Sequence, residues 1–289
     1  MQNPPAPPRR SVLYLPASNA RALAKAATLA CDAVILDLED AVGPDEKSLA
    51  REAAVSAVKA GVFGRREVVV RVNGLDTPWG AEDAAACVQA RPDAVLAPKI
   101  SGPEDVAAWR RTLGDGVALW AMIETPSAVF ALDAIGLVSR GLGVEAWVAG
   151  TNDLAKAMRC QPGGDRGPLL PALALMVLAA RAHGLAVLDG VCNDVADAEG
   201  FERECAQGAA YGFDGKTLIH PAQIEPANRA FSPAPAELAW ARAVAAAFEL
   251  PENAGKGVLK VEGRMVERLH LDEARRTLAL AAAIGELEA

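Results

Sequence analysis

The sequence predicts an α/β protein, a (β/α)8 barrel with a C-terminal helical and hairpin extension, on three observations. Eight short apolar runs recur along the chain, stretches of helical periodicity separate them, and most runs are apolar throughout instead of alternating with polar residues. Strands that alternate with helices form parallel β/α units, and uninterrupted apolar strands belong to a sheet covered on both faces. A doubly wound open sheet would satisfy the same two rules. No G-x-G-x-x-G follows the first run, however, and eight units is the number at which such a sheet closes on itself. With 289 residues the chain has ample surface to bury in a core of that size.

Taken in order, "MQNPPAPPRR" (1–10) is a Pro-rich tail, expected to be flexible or polyproline-like and to carry no core. The barrel is expected over 11–230. Its strands are "SVLYLPA" (11–17), "AVILDL" (33–38), "EVVVRVN" (67–73), "AVLAPKI" (94–100), "ALWAMIE" (118–124), "AWVAGT" (146–151), "LAVLDGV" (185–191) and a weaker "FDGKTL" (213–218). Ala-rich segments such as 46–60, 103–113 and 169–183 carry apolar residues at i, i+3 and i+4, the spacing of helices that cover a sheet. Ser18 or Asn19 is placed to cap the first helix. After residue 230 the pattern changes. "SPAPAELAWARAVAAAFE" reads as a helix behind a Pro-rich entry, "GKGVLKVEGRMVERL" alternates as a hairpin around Glu262-Gly263, and "HLDEARRTLALAAAIGELE" is a final helix. This extension, 231–289, is too small to fold alone, so it is expected to pack on the barrel or on a neighbouring subunit.

Composition excludes several classes of function. A formal net charge of −8 gives no global field for nucleic acid or an anionic membrane, so an anionic ligand needs a local basic patch. Cys31, Cys87, Cys160, Cys192 and Cys205 are scattered without a C-x-x-C pair and are expected as reduced thiols, not as a zinc ribbon or redox couple. No run of about 18 apolar residues occurs, and the N-terminus lacks the apolar stretch of a signal peptide. The expectation is a cytoplasmic protein with neither nucleic acid nor membrane as partner.

In a barrel of this kind catalytic groups come from the C-terminal ends of the strands, and here nearly every strand ends in an ionisable group. The second ends in Asp37, Glu39 and Asp40, the third in Arg71 and Asn73, the fourth in Lys99, the fifth in Glu124. The sixth ends in Thr151-Asn152-Asp153, the seventh in Asp189, the eighth in Lys216 and His220. Carboxylates gathered at one mouth repel each other unless a cation sits among them. Oxygen ligands with few histidines suit Mg²⁺, which takes one or two protein carboxylates and leaves its other positions to water and substrate. Glu124 and Asp153, on adjacent strands, are the best-placed pair. Asp37, Glu39 and Asp40 then support the site by orienting metal-bound water and pairing with Arg71 or Lys99. His183, His220 and His270 lack the H-x-x-x-H spacing of a zinc hydrolase, and His183 is expected at a helix C-terminus. Arg21 and Lys25 lie four apart on one helix face, able to meet phosphates or simply solvent.

The set "RRSVLYLPASNARALAKA", "DAVILDLEDAVGPDEKSLAR", "VVVRVNG", "VLAPKI", "MIETPSAV", "GTNDLA", "AVLDGV", "GFDGKTLIHPAQI" and "GRMVERLHLDEA" resembles the citrate lyase β subunit-like, HpcH/HpaI aldolase family, with its malyl-CoA and citramalyl-CoA lyases. The resemblance implies a barrel that binds Mg²⁺ and an acyl-CoA, as a homotrimer or hexamer whose C-terminal segment closes over a neighbouring subunit's site. It implies Glu124 and Asp153 as metal ligands, Arg71 as the substrate arginine, Asn152 beside the substrate, and Tyr14, Arg21, Lys25, Ile219 and His220 as CoA contacts. One position departs. Where lyases of the family tend to carry an aspartate as acid/base, this chain has Glu267, longer by a methylene, and a displacement near 1 Å costs on the order of 10²-fold in rate. The expected activity is Mg²⁺-dependent cleavage or formation of a β-hydroxyacyl-CoA, from or to an acyl-CoA and a 2-oxo acid such as glyoxylate or pyruvate. The alternatives are malyl-CoA-type thioester hydrolysis, action on an acyl-carrier-protein thioester as a citrate lyase β subunit, and a CoA-ester binder without turnover.

Overall fold

A computed structural model describes residues 7–289; the first six residues of the Pro-rich segment lie outside the described residues. The elements run β1 (Ser11–Pro16), α1 (Ala20–Ala26), β2 (Ala33–Asp37), α2 (Lys47–Ala60), β3 (Glu67–Arg71), α3 (Gly80–Ala90), β4 (Ala94–Ile100), α4 (Pro103–Leu113), β5 (Ala118–Ile123), α5 (Pro126–Phe130), α6 (Leu132–Gly141), β6 (Val144–Ala149), α7 (Thr151–Met158), α8 (Leu170–His183), β7 (Ala186–Asp189), α9 (Ala198–Tyr211), β8 (Gly215–Leu218) and α10 (Ile224–Ala230). Then follow α11 (Pro235–Glu249), β9 (Val258–Val261), β10 (Arg264–Glu267) and α12 (Arg268–Glu288). The chain divides into two compact units, one of Arg9–Phe231 and one containing Ser232–Ala289.

In the first unit, β1 to β8 close into a parallel barrel in chain order, β8 pairing back with β1. Alternation along the strands sorts the side chains. Val12, Ala33, Ile35, Val69, Leu96, Trp120, Met122, Val148 and Leu188 fill the barrel, while Leu13, Val34, Val70, Val95, Leu119 and Val187 belong to the layer under the helices. Continuing each inward series by two residues brings Tyr14, Asp37, Arg71 and Glu124 to the upper end of the interior. Pairing sets Asp37 directly beside Arg71, while Tyr14 pairs with Ile35, two residues lower on β2. The same alternation turns Asp189 and Lys216 outward, away from the mouth at which strand-end position alone placed them. Both are fully buried; Lys216 Nζ meets Asp189 Oδ2 at 3.1 Å and Glu204 Oε1 of α9 at 2.6 Å, and Arg166 Nη1 meets Asp189 Oδ1 at 2.8 Å. This network fixes α9 and the segment before α8 to the barrel.

Arg9 and Arg10, which the sequence groups with the Pro-rich tail, are buried at the opposite end. Arg9 Nη2 pairs with Glu67 at 2.7 Å and Glu145 at 2.9 Å, at the starts of β3 and β6, and Arg10 with Asp32 at 2.8 Å. Lys216 N–H donates to Arg10 C=O at 3.1 Å, so the 9–10 segment lies against the start of β8. A Cβ at Gly215 would strike the Arg9 carbonyl, and only glycine allows that approach. The cysteines form no disulfide, and burial pushes the thiols of Cys31 up to about 11 and of Cys87 and Cys205 up to about 12, leaving them inert. Among the described residues no helix is long and apolar enough to cross a membrane.

In the second unit the hairpin β9–β10 packs Leu259, Val261 and Val266 against Ala241 and Val244 of α11 and Ala274 of α12. Its two turn residues, Glu262 and Gly263, have φ of 47° and 83°, the left-handed pair that a two-residue hairpin turn requires.

Gly215→Ala is expected to lower the unfolding free energy by about 1–3 kcal/mol, the cost of overpacking against a backbone that cannot retreat. A urea midpoint equal to wild type would show that the 9–10 segment does not need this contact.

Candidate active site

The upper end of the barrel opens into a cleft of about 290 Å³ lined by Tyr14, Asp37, Asp40, Arg71, Met122, Glu124, Gly150, Asn152, Asp153, Thr217 and Ile219, among others. The centre of its charge is Arg71, 7% exposed. Its Nε and Nη2 donate to the two oxygens of Asp37 at 2.7 and 2.6 Å, and Nη1 approaches Glu39 Oε2 at 3.0 Å and Met122 Sδ at 3.8 Å. The guanidinium lies 4.9 Å from the Tyr14 ring centroid. A fork held on three sides cannot rotate, so its remaining donor capacity faces the cleft.

Asp37 is fully committed. Besides Arg71, its oxygens accept the N–H groups of Glu39 at 2.9 Å and Ala41 at 3.1 Å, which folds the segment after β2 over the mouth. Lys47 completes that fold, donating from Nζ to the carbonyls of Leu38 and Glu39 and to Asn73 Oδ1 at 2.7–2.8 Å. Strand-end reasoning missed Lys47 because it enters from the start of α2. Glu39 lies between Arg71 and Lys99, whose Nζ is 3.3 Å from Oε1; burial raises its carboxyl above the ordinary range, against the pull of those two cations. Asp40 is mostly exposed, 3.8 Å from Arg71.

Glu124 is different. It is 1% exposed; Oε1 accepts the Lys99 N–H at 2.7 Å, while Oε2 is buried with no hydrogen-bond partner. Burial pushes its carboxyl up to about 8, and the negative charges of Glu39 and Asp153 add to the shift. A Cβ on Gly150 would fall against Glu124 Cβ and Oε2, so this glycine makes the room in which the carboxylate stands. Asp153 joins the cleft from the first turn of α7, whose N-cap, Gly150, supplies no side chain to the free N–H groups.

An orphaned buried carboxylate oxygen beside a second carboxylate is the environment a hard divalent cation relieves. Among the described residues no group of three or more His, Cys, Asp or Glu converges on one point suited to a metal. Glu124 and Asp153 therefore fit an ion that completes its shell with water and substrate oxygens, as Mg²⁺ does.

The remaining expected residues divide. Tyr14 points into the cleft, its hydroxyl buried without a partner, and burial raises its phenol so that it stays protonated. Ile219 lines the cleft. His220 caps a short 3-10 turn, its Nδ1 accepting the Ala222 N–H at 3.2 Å. Arg21 and Lys25 are exposed on α1, which Asn19 caps, and do not line the cleft. Asn152, in the first turn of α7, and Asn193, in the β7–α9 connection, exchange side-chain amide hydrogen bonds of 2.7 and 3.3 Å. They stand where the cleft meets a second cavity of about 320 Å³, lined by Arg166, Cys192 and Glu204 among others. Glu267 lies in the second unit, exposed at the end of β10 where it takes the N-cap position of α12, with its N–H donating to His270 Nδ1 at 3.0 Å.

The family model "HpcH/HpaI aldolase/citrate lyase" matches residues 10–221, and "C-C_Bond_Lyase of the TIM-Barrel fold" matches 168–285. The chain is 49% identical over 282 residues, 98% of both chains, to a (3S)-malyl-CoA thioesterase of Cereibacter sphaeroides. It is 31% identical to the human mitochondrial citramalyl-CoA lyase, over 96% of this chain and 87% of that one. Among solved structures, the protein CitE from Mycobacterium tuberculosis in complex with magnesium, acetoacetate and coenzyme A superposes with a TM-score of 0.75 at 29% identity, covering 96% of this chain and 98% of that one.

In the metal-free protein the raised Glu124 carboxyl has a stability signature. Between its ordinary value of 4.5 and about 8 the folded state holds a proton that the unfolded state has lost, so the unfolding free energy falls as pH rises through that window. In EDTA, the melting temperature of Glu124→Gln is expected to gain on wild type progressively from pH 5 to pH 8. A difference independent of pH would show that Glu124 ionises normally.

Proposed function

The chain belongs to the HpcH/HpaI aldolase/citrate lyase family, and we propose that it hydrolyses the CoA thioester of a short hydroxy-dicarboxylic acid, of the malyl-CoA type, with Mg²⁺. The observation that carries this reading is the full-length likeness to a malyl-CoA thioesterase, joined to a cleft in which Arg71 and the orphaned Glu124 oxygen face one space. Glu267, in place of the aspartate expected of the lyases, points the same way.

Water adds to the thioester carbonyl, the carbon–sulfur bond breaks, and the products are the free hydroxy acid and CoA as its thiol. Glu124 and Asp153 would hold the metal, which would supply Lewis-acid polarisation and a template for the acid's oxygens. Arg71, already fixed by Asp37, meets the negative charge that grows on the acyl oxygen as water adds, without reorganising at that moment. The Met122 and Tyr14 side chains wall the acyl group from bulk water. Arg21, Lys25, Ile219 and His220 bind the CoA portion, and Asn152 the acid portion. Glu267, from the C-terminal segment of a neighbouring copy in a trimer or hexamer, takes the proton of the attacking water.

Carbon–carbon cleavage by the same groups is the second reading, favoured by the metal pair and Arg71, which serve either reaction. Product analysis separates them. With malyl-CoA, chromatography is expected to show free CoA and malate in equal amounts and no acetyl-CoA; acetyl-CoA with glyoxylate would replace this proposal by the lyase reading. Rigorous metal removal is expected to abolish turnover and added Mg²⁺ to restore it.

Arg71→Lys keeps the charge but loses the fork, and its kcat/KM is expected to fall about 10²–10³-fold, with a lowered melting temperature as the buried pair with Asp37 weakens. A loss below tenfold would remove the guanidinium from the transition state.

A further inference from the structure

Among the described residues, five other than glycine have positive φ: Arg91, Lys99, Arg159, Arg166 and Glu262. Arg91 and Arg159 close helices, Arg166 opens a short 3-10 turn, and Glu262 sits in the hairpin turn. These are ordinary places for such a backbone. Lys99, with φ of 53°, is inside a strand, near the end of β4.

The strand pairing shows what the conformation accomplishes. Ala97 pairs with Ala121 and Ile100 with Ile123, so β4 spends three steps where β5 spends two, and the extra residue falls at Pro98–Lys99. Proline cannot donate to the ladder and settles at bulges, and a bulge re-aims the backbone beside it. Here the re-aimed group is the Lys99 N–H, which donates to Glu124 Oε1 at 2.7 Å. The neighbouring segment is fastened to the same point: Ser101 Oγ lies 3.3 Å from Thr125 Oγ1, and Thr125 caps α5 through the Ala128 N–H. Glu124 thus has one oxygen held by backbone and the other, Oε2, buried with no partner.

We propose that Lys99 is a positioning residue: its left-handed backbone holds Oε1 of Glu124, so that the carboxylate is turned to offer its unpartnered Oε2 to a divalent cation. This rests on the reading of Glu124 as a metal ligand and adds how the ligand is held and in what mode. The device acts through the backbone N–H, so the lysine side chain, half exposed and paired with Glu39, is not required for it. A left-handed residue inside a strand is costly for any side chain with a Cβ, and the hydrogen bond to a buried, metal-directed carboxylate is what that cost maintains.

The test compares Lys99→Gly, Lys99→Ala and Lys99→Val, which all lack the ammonium and differ in their tolerance of positive φ. Mn²⁺ alone is titrated into the full-length protein and its free fraction read by electron paramagnetic resonance, with melting temperature in EDTA measured on the same samples. Lys99→Gly is expected to bind Mn²⁺ about as tightly as wild type and to melt no lower. Lys99→Val is expected to bind about 10–100-fold more weakly than Lys99→Gly, the usual cost of losing a group that orients a metal ligand, and Lys99→Ala to fall between; Lys99→Ala against Lys99→Gly decides the matter if Lys99→Val does not fold. Equal affinities across the folded variants, with wild-type binding intact, overturn the inference alone. Wild type and Glu124→Gln binding Mn²⁺ equally, or neither binding it, removes Glu124 as a ligand and the inference with it.

Discussion

The bidentate pair between Arg71 and Asp37 is the contact from which the mouth of the barrel is organised, because it reconciles two demands of the same alternation. Inward positions of β2, β3 and β5 fill the interior with Ile35, Val69 and Met122, and two residues further on they deliver Asp37, Arg71 and Glu124 to one cleft. Charges there have lost most of their hydration, so each needs a partner or a shifted pKa. Arg71 takes Asp37 completely and shares Glu39 with Lys99. Glu124 is left with an uncompensated oxygen. The cation that the proposed function calls for would answer the remainder of a charge balance that the fold itself imposes.

Rigid surroundings give that remainder a fixed address. Asp37 also ties down the backbone of Glu39 and Ala41, and Lys47 ties down Leu38, Glu39 and Asn73, so the segment over the mouth is held from both ends. Gly150 gives Glu124 its space, and the strained Lys99 backbone takes its second oxygen. In the proposed function none of these groups need touch a substrate; they would hold the ones that do within the tolerance that catalysis by positioning requires.

The barrel was legible because fully apolar runs at regular spacing have few other solutions, and the hairpin because Glu262-Gly263 interrupts a clean alternation. The candidate site was legible by residue type at strand ends, yet type did not carry direction. Asp189 ends β7 and Lys216 lies inside β8, but parity turns both into the helix layer, where they pair with Arg166 and Glu204. Counting inward positions from Leu188 would have shown this. Arg9 and Arg10 were hidden by their proline neighbours, since nothing local announces ion pairs with Glu67 and Asp32. Pro98 within an apolar strand was a readable sign of the bulge at Lys99. The role of Lys47 was not readable, because it depends on how the 38–46 segment folds back.

The most direct test of the account is the position of the metal. Crystals of the full-length protein soaked in Mn²⁺ and measured for anomalous scattering are predicted to show one ion in the cleft, bonded to Glu124 through Oε2 and to Asp153, with Asp37 still paired to Arg71. An ion seated instead on Asp37 and Glu39, with Arg71 displaced, would contradict the charge balance from which the proposed function is built.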